Sequence, residues 1–187
     1  MTGAFVADVH RCANQRRARS NLVYLFAGTY GLQALLAYRL GRWLLHARRK
    51  WHLWPLLPVC WPLYFLLSRY ARVVFDIRLD LSADIGPGFY IGHFGGISVT
   101  RCAIGANCSV GPLTQIAAGL KGQGPTIGDR VWIGAHANIV GPYRIGSGAT
   151  VAAGAVLRHD IPEGALCIGN PARVVVRNYD NRMILAL

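Results

Sequence analysis

A chain of 187 residues with 53% apolar content is large enough for one domain with a buried core and a smaller appendage. Its net charge of +12 is unevenly held: residues 1–78 carry +10 of it and residues 79–187 only +2. The five cysteines form no CxxC pair and have no His at ligand spacing, which argues against a metal site and a secreted disulfide framework and points to free thiols in a reducing, cytoplasmic compartment.

Residues 1–78 read as a basic, apolar, helical segment. Arg11, Arg16, Arg17 and Arg19 come early, but no cleavage-like site follows the next apolar stretch, which argues against a signal peptide. Residues 22–38 are apolar with helical periodicity. Residues 51–67 are apolar but carry Pro55, Pro58 and Pro62. Each run is about 17 residues, at the lower edge for a membrane span, and the prolines oppose a straight spanning helix. Cations (Arg39, Arg42, Arg48, Arg49, Lys50) and Trp43 lie between the runs, and Arg69 and Arg72 close the second. Two readings follow: a cap on the next domain, or a cap that also touches the anionic inner face of the cytoplasmic membrane. No nucleic-acid reading motif is present, so nucleic acid is not an expected partner.

Residues 79–176 keep a six-residue beat. Its aliphatic members are Ile85, Ile91, Ile97; Ile104, Val110, Ile116; Ile127, Ile133, Ile139; and Ile145, Val151, Leu157. The trios are joined by steps of seven, eleven and six, and Gly or another small residue follows most members. Neither an α-helix nor a two-residue strand alternation has this period. It is the mark of a mainly β solenoid in which three short strands make one triangular coil, and twelve hexads predict four coils. Residues 177–187 read as a C-terminal tail.

Stacking the second member of each trio aligns Ile91, Val110, Ile133 and Val151. One residue on stand Gly92, Gly111, Gly134 and Ala152; two residues on stand His93, Pro112, Ala135 and Ala153. A single His thus stands at the foot of a wall of small side chains about 14 Å long, given strands roughly 4.8 Å apart. Such a wall suits an extended chain-like ligand. The eleven-residue step inserts 118–125, a glycine-rich loop bearing Gly119 and Lys121, and a loop that breaks a repeat is a place to expect binding. His136 reads as an ordinary surface residue one column over, and His159 as non-catalytic.

Three stretches carry a family resemblance: Ile91-Gly92-His93-Phe94-Gly95-Gly96-Ile97, Thr126-Ile127-Gly128-Asp129-Arg130-Val131-Trp132-Ile133-Gly134-Ala135, and Gly169-Asn170-Pro171-Ala172-Arg173-Val174. They resemble the hexapeptide acyltransferases, in the branch of serine O-acetyltransferases and the acetyltransferases of capsular and exopolysaccharide synthesis. The resemblance implies a left-handed parallel β-helix, a homotrimer or dimer of trimers, and acetyl-CoA as co-substrate with no metal. It implies His93 as general base and Ala135 and Ala153, beside Gly134, as contacts of coenzyme A. Serine acetyltransferases carry a second His in a His-Pro pair after the loop, where this chain has Gly124-Pro125. They also carry an Asp about fifteen residues before the base, where this chain has Arg78, with Asp76 and Asp80 as nearby candidates for the partner of His93.

The expected chemistry is direct transfer without an acyl-enzyme: His93 takes the proton of an acceptor hydroxyl as its oxygen attacks the thioester. Backbone N–H groups of Gly95, Gly96 or the Gly119–Gly124 loop are the expected oxyanion donors, and Lys121 is placed to meet a phosphate or acidic sugar. The His-Phe-Gly-Gly form directs the first expectation for the acceptor to a sugar hydroxyl of a lipid-linked polysaccharide. Serine is the alternative acceptor, and a non-catalytic hexapeptide scaffold the alternative class.

Overall fold

The computed structural model describes residues 2–15, 28–48, 50–92 and 95–185. Arg16, Arg17, Arg19, Arg49, His93 and the start of the first apolar run lie outside them. From Ile77 onward the chain is a parallel β-helix with three faces. One face stacks β1 (Ile77–Leu79), β4 (Ile97–Val99), β7 (Gln115–Ala117) and β10 (Asn138–Val140). The second stacks β2 (Asp84–Ile85), β5 (Ala103–Ile104), β8 (Thr126–Ile127) and β11 (Arg144–Ile145). The third stacks β3 (Tyr90–Ile91), β6 (Ser109–Val110), β9 (Trp132–Ile133), β12 (Thr150–Val151) and β13 (Leu166–Ile168), and β14 (Arg173–Val176) closes it antiparallel to β13.

The aliphatic beat is the interior. Ile85, Ile104, Ile127 and Ile145 stack in register, as do Ile91, Val110, Ile133 and Val151, and all are buried. On the first face Ile116 and Ile139 pair, but the partner of Ile116 in β4 is Val99 and that of Ile77 is Ile97. Both Ile97 and Val99 point inward and neither is exposed, which is why the step from Ile97 to Ile104 stretches to seven. The prediction of four coils falls short by one. Leu157, Ile161 and Cys167 line a fifth coil, with Ile161 bridged to Ile145 and Cys167 paired with Val151. A four-residue step and an inward cysteine hide that coil from a six-residue search.

The N-terminal segment folds as α1 (Thr2–Gln15), α2 (Tyr30–Ala47), a 3₁₀ turn (Trp51–Leu56) and α3 (Leu57–Val74). Pro55 sits in the 3₁₀ turn, Pro58 in the first turn of α3 where its missing N–H costs nothing, and Pro62 inside the helix. No described helix is long and apolar enough to cross a membrane.

The first coil has no coil beneath it, so its edge presents backbone groups that burial would orphan. The cap satisfies them. Arg39 donates to the carbonyls of Ile85 and Gly86, both at 2.6 Å, and Tyr38 donates to the Ala83 carbonyl at 2.8 Å and accepts from the Ile85 N–H at 3.1 Å. Arg42 donates to the Leu81 carbonyl and to Asp84. Asp8 ties α1 to this seam, pairing with Arg39 at 3.0 Å and accepting from the Phe89 N–H at 3.0 Å. Part of the basic charge is therefore structural, turned inward onto carbonyls. Arg69 and Arg72 instead face out, exposed on α3 beside Val59, Leu63, Leu66 and Tyr70.

The C-terminal tail is a strap. After β14 it doubles back along the corner before the third face, where Asn181 donates to the carbonyls of Arg130, Gly148 and Ala149. It ends in a short turn, α4 (Arg182–Leu185), with Leu185 fully buried against α1.

Candidate active site

The stacked column survives in three dimensions as one side of a groove of about 480 Å³ on the third face. Tyr90, Ser109 and Trp132 supply its floor, being the first residues of β3, β6 and β9, while the second residue of each strand points into the core. Pro112, Ala135 and Ala153 form the corner beyond, as the spacing predicts, and Gly92 stands at the foot. His93 follows Gly92 directly in the chain but lies outside the described residues.

Gly134 does not line the groove. It is buried behind the wall, and a Cβ there would press on the backbone of Ala152 and Ala153 in the next coil. Its absent side chain serves coil stacking. Gly119 and Lys121 also lie elsewhere within the chain. Their loop springs from the corner after the first face, is closed by Gly119 N–H to the Gln123 carbonyl at 3.0 Å, and leaves Lys121 exposed. His136 occupies the corner after the third face with φ 59°, exposed, as the turn residue of its coil.

Several of the expected oxyanion donors are already engaged. Gly95 N–H donates to the Phe75 carbonyl at 2.9 Å, and Gly96 N–H donates to Asp76 at 3.0 Å. In the loop, Gly122 N–H donates to the Gly119 carbonyl. Gly95 and Gly96 thus tie their segment to Phe75 and Asp76, and only the Gly119–Gln123 loop spends its groups on its own closure.

The two candidate carboxylates separate clearly. Asp80 accepts from the Ser82 N–H at 2.7 Å, and the Ser82 hydroxyl and N–H hold its carboxyl below the usual range, so it is committed to its own turn. Asp76 instead accepts from Gly96, three residues beyond His93 in the chain. Arg78 lies 4.0 Å from Asp76, both largely exposed, a weak pair. Position 124 is built for glycine: a Cβ would overlap the Arg101 carbonyl oxygen, so no second His fits there on this backbone.

Cysteine offers no rival nucleophile inside the helix. Burial pushes the Cys102 thiol up to about 12 and those of Cys108 and Cys167 up to about 11, so all three stay protonated at neutral pH.

Known proteins resemble this chain in sequence and in fold. Residues 124–159 match the bacterial transferase hexapeptide (six repeats) family. The serine acetyltransferase of Bacillus licheniformis is 30% identical over 178 residues, covering 91% of this chain and 76% of that protein. This chain spans only 50–65% of the length of several other bacterial serine acetyltransferases. Soybean serine acetyltransferase complexed with serine superposes with a TM-score of 0.76 at 31% identity, covering 92% of this chain and 68% of that one. A serine acetyltransferase in complex with CoA gives 0.75 at 26% identity, with the same coverage. These relatives overturn the expectation of a polysaccharide acetyltransferase: they are serine acetyltransferases, and the His-Phe-Gly-Gly form, a four-residue signal, was too short to separate the two groups. The chain belongs to the hexapeptide-repeat acyltransferases, in the serine O-acetyltransferase branch of these acetyl-CoA-dependent O-acetyltransferases.

Proposed function

We propose that this protein transfers the acetyl group of acetyl-CoA to the hydroxyl of serine. The observation that carries the reading is the groove, one wall of it small side chains, that rises from Gly92, the residue before His93 in the chain, on a protein whose relatives are serine acetyltransferases. His93 removes the hydroxyl proton as the serine oxygen attacks the thioester carbon. The tetrahedral intermediate collapses, the C–S bond breaks, and the coenzyme A thiolate takes the proton back from His93. Asp76, through its hold on Gly96, positions the loop that carries the base. Because Gly124 replaces the second His, the amino acid is held by a different set of groups from the branch pattern. A homotrimer would bring the Gly119–Gln123 loop of one subunit toward the groove of the next, which is the arrangement in which Lys121 reaches the donor.

The test is thiol release from acetyl-CoA by purified protein, with L-serine, with sugars and with no acceptor. Serine-dependent release supports the proposal. Absence of release with serine overturns it, and absence with every acceptor favours the scaffold reading.

The groove itself is checked by filling it. Ala153 is exposed at its upper end, so Ala153→Trp should fold normally and weaken coenzyme A binding at least tenfold, about 1.4 kcal/mol, measured by calorimetry. Unchanged affinity would place the donor on another face.

A specific observation favours peripheral contact with anionic lipid as well. Val59, Leu63, Phe65, Leu66, Tyr70 and Val73 remain 47–72% exposed on α3. The chain has no acidic residue between Asp8 and Asp76. An apolar helix face bordered only by cations suits an anionic interface. Flotation with anionic liposomes is expected at low salt, weaker at high salt, and weaker again in a Leu66→Ser, Arg69→Gln double variant. A protein that never floats leaves this face to protein contacts alone.

A further inference from the structure

The wall opposite the small-residue corner is not made by the β-helix. Gln15, the last residue of α1, and Ile184, on the C-terminal strap, line the groove from the other side, facing Ala135 and Ala153 across the floor of Tyr90, Ser109 and Trp132. The sequence alone suggests nothing of this, since the two residues are 169 positions apart and neither belongs to the repeat.

That second wall is anchored at several points. Arg11, itself only 5% exposed, donates to the Asn107 carbonyl at 2.8 Å, to the Ser109 hydroxyl at 3.0 Å and to the Leu185 carbonyl at 3.3 Å. Gln15 donates to the same Leu185 carbonyl. Asn181 fixes the other end of the strap to three backbone carbonyls of the coils. Helix and strap are therefore clamped together at the rim of the groove, through groups that leave the Ile184 side chain free of the core. Ile184 stays 38% exposed, although it is a large aliphatic residue beside a mainly apolar groove. An exposed aliphatic side chain on an anchored rim is covered when a ligand fills the groove, and that burial contributes to affinity.

We propose that the α1–strap clamp is the second wall of the donor site, with Ile184 contacting the apolar stretch of the acyl-CoA and Gln15 bordering it. The proposal rests on the functional reading above, which places acetyl-CoA in this groove. It assigns donor affinity, and not acceptor recognition or proton transfer, to the strap.

The experiment compares the unsubstituted protein with Ile184→Ala and Ile184→Asp. Coenzyme A binding is measured by calorimetry, and KM for acetyl-CoA and for serine separately. Because Ile184 is partly exposed, both variants should keep the thermal stability of the unsubstituted chain to within a few degrees. Ile184→Ala should weaken coenzyme A roughly three- to tenfold. Ile184→Asp, which sets a carboxylate against an apolar surface and toward an anionic donor, should weaken it further. The KM for serine and the kcat should change little. Coenzyme A affinity within twofold of the unsubstituted protein in both variants overturns the proposal while leaving the functional reading intact. A rise in the serine KM alone also overturns it, by moving Ile184 to the acceptor end. If the unsubstituted protein binds no coenzyme A, the functional reading fails first and this proposal fails with it.

Discussion

His93→Ala is expected to lower acetyl transfer to serine by two to four orders of magnitude, the usual consequence of losing a positioned general base, while leaving the far-ultraviolet spectrum and melting temperature unchanged. Serine's hydroxyl is a poor nucleophile at neutral pH, and an imidazole titrates where a base is needed. The buried thiols, with values pushed up to about 11 and 12, offer no substitute. The loss should fall mainly on kcat, since the donor groove is lined by other residues. Asp76→Asn should give a smaller loss in the same parameter, and Asp80→Asn none, because the Asp76 carboxylate holds Gly96 in the segment after His93 while Asp80 serves its own turn. Near-normal turnover in folded His93→Ala would end the proposed mechanism.

Asp8→Ala is expected to destabilise the fold by about 3–5 kcal/mol, the cost of stripping one partner from a buried ion pair. The Asp8 side chain is fully buried and that of Arg39 nearly so. Without the carboxylate, Arg39 keeps its two carbonyl partners but loses its counter-charge, and the Phe89 N–H loses its acceptor. Burial pushes the Asp8 carboxyl above its ordinary 3.8, outweighing the pull of Arg39. The sign follows from that direction. The fold favours the protonated carboxyl relative to the unfolded chain, so this group's contribution is fully present below 3.8 and is lost as pH rises through the raised value. Asp8→Asn should remove that component from the acid limb of the stability profile, measured by urea unfolding between pH 3.5 and 7. A chain no less stable after Asp8→Ala would show that the Asp8–Arg39 pair adds nothing to the stability of the fold.

The solenoid was legible because a six-residue repeat constrains every side chain pointing inward. Ile85, Ile104, Ile127 and Ile145 share one register, so a period found in one dimension becomes a column in three. For the same reason the column of Pro112, Ala135 and Ala153 emerged as a continuous wall. The fifth coil escaped because Cys167 is a poor aliphatic marker and the step from Leu157 to Ile161 breaks the beat. The acceptor was misread because four residues of motif say little about what sits opposite them.

What the sequence determined by itself is the repeat, the interior and one wall of the groove, since each depends on neighbours six residues away or at a constant offset between coils. Tertiary structure alone decided the rest. It turned Arg39 and Tyr38 onto the orphaned edge of the first coil, tied the Gly95 and Gly96 N–H groups to Phe75 and Asp76, and left Asp80 to its own turn. It also drew the two ends of the chain together, with Arg11 and Gln15 meeting the Leu185 carbonyl beside the groove. Such contacts join residues up to 174 positions apart, and no local period encodes them. They form because a buried donor or carbonyl must find a partner, and only the folded chain shows which one is near.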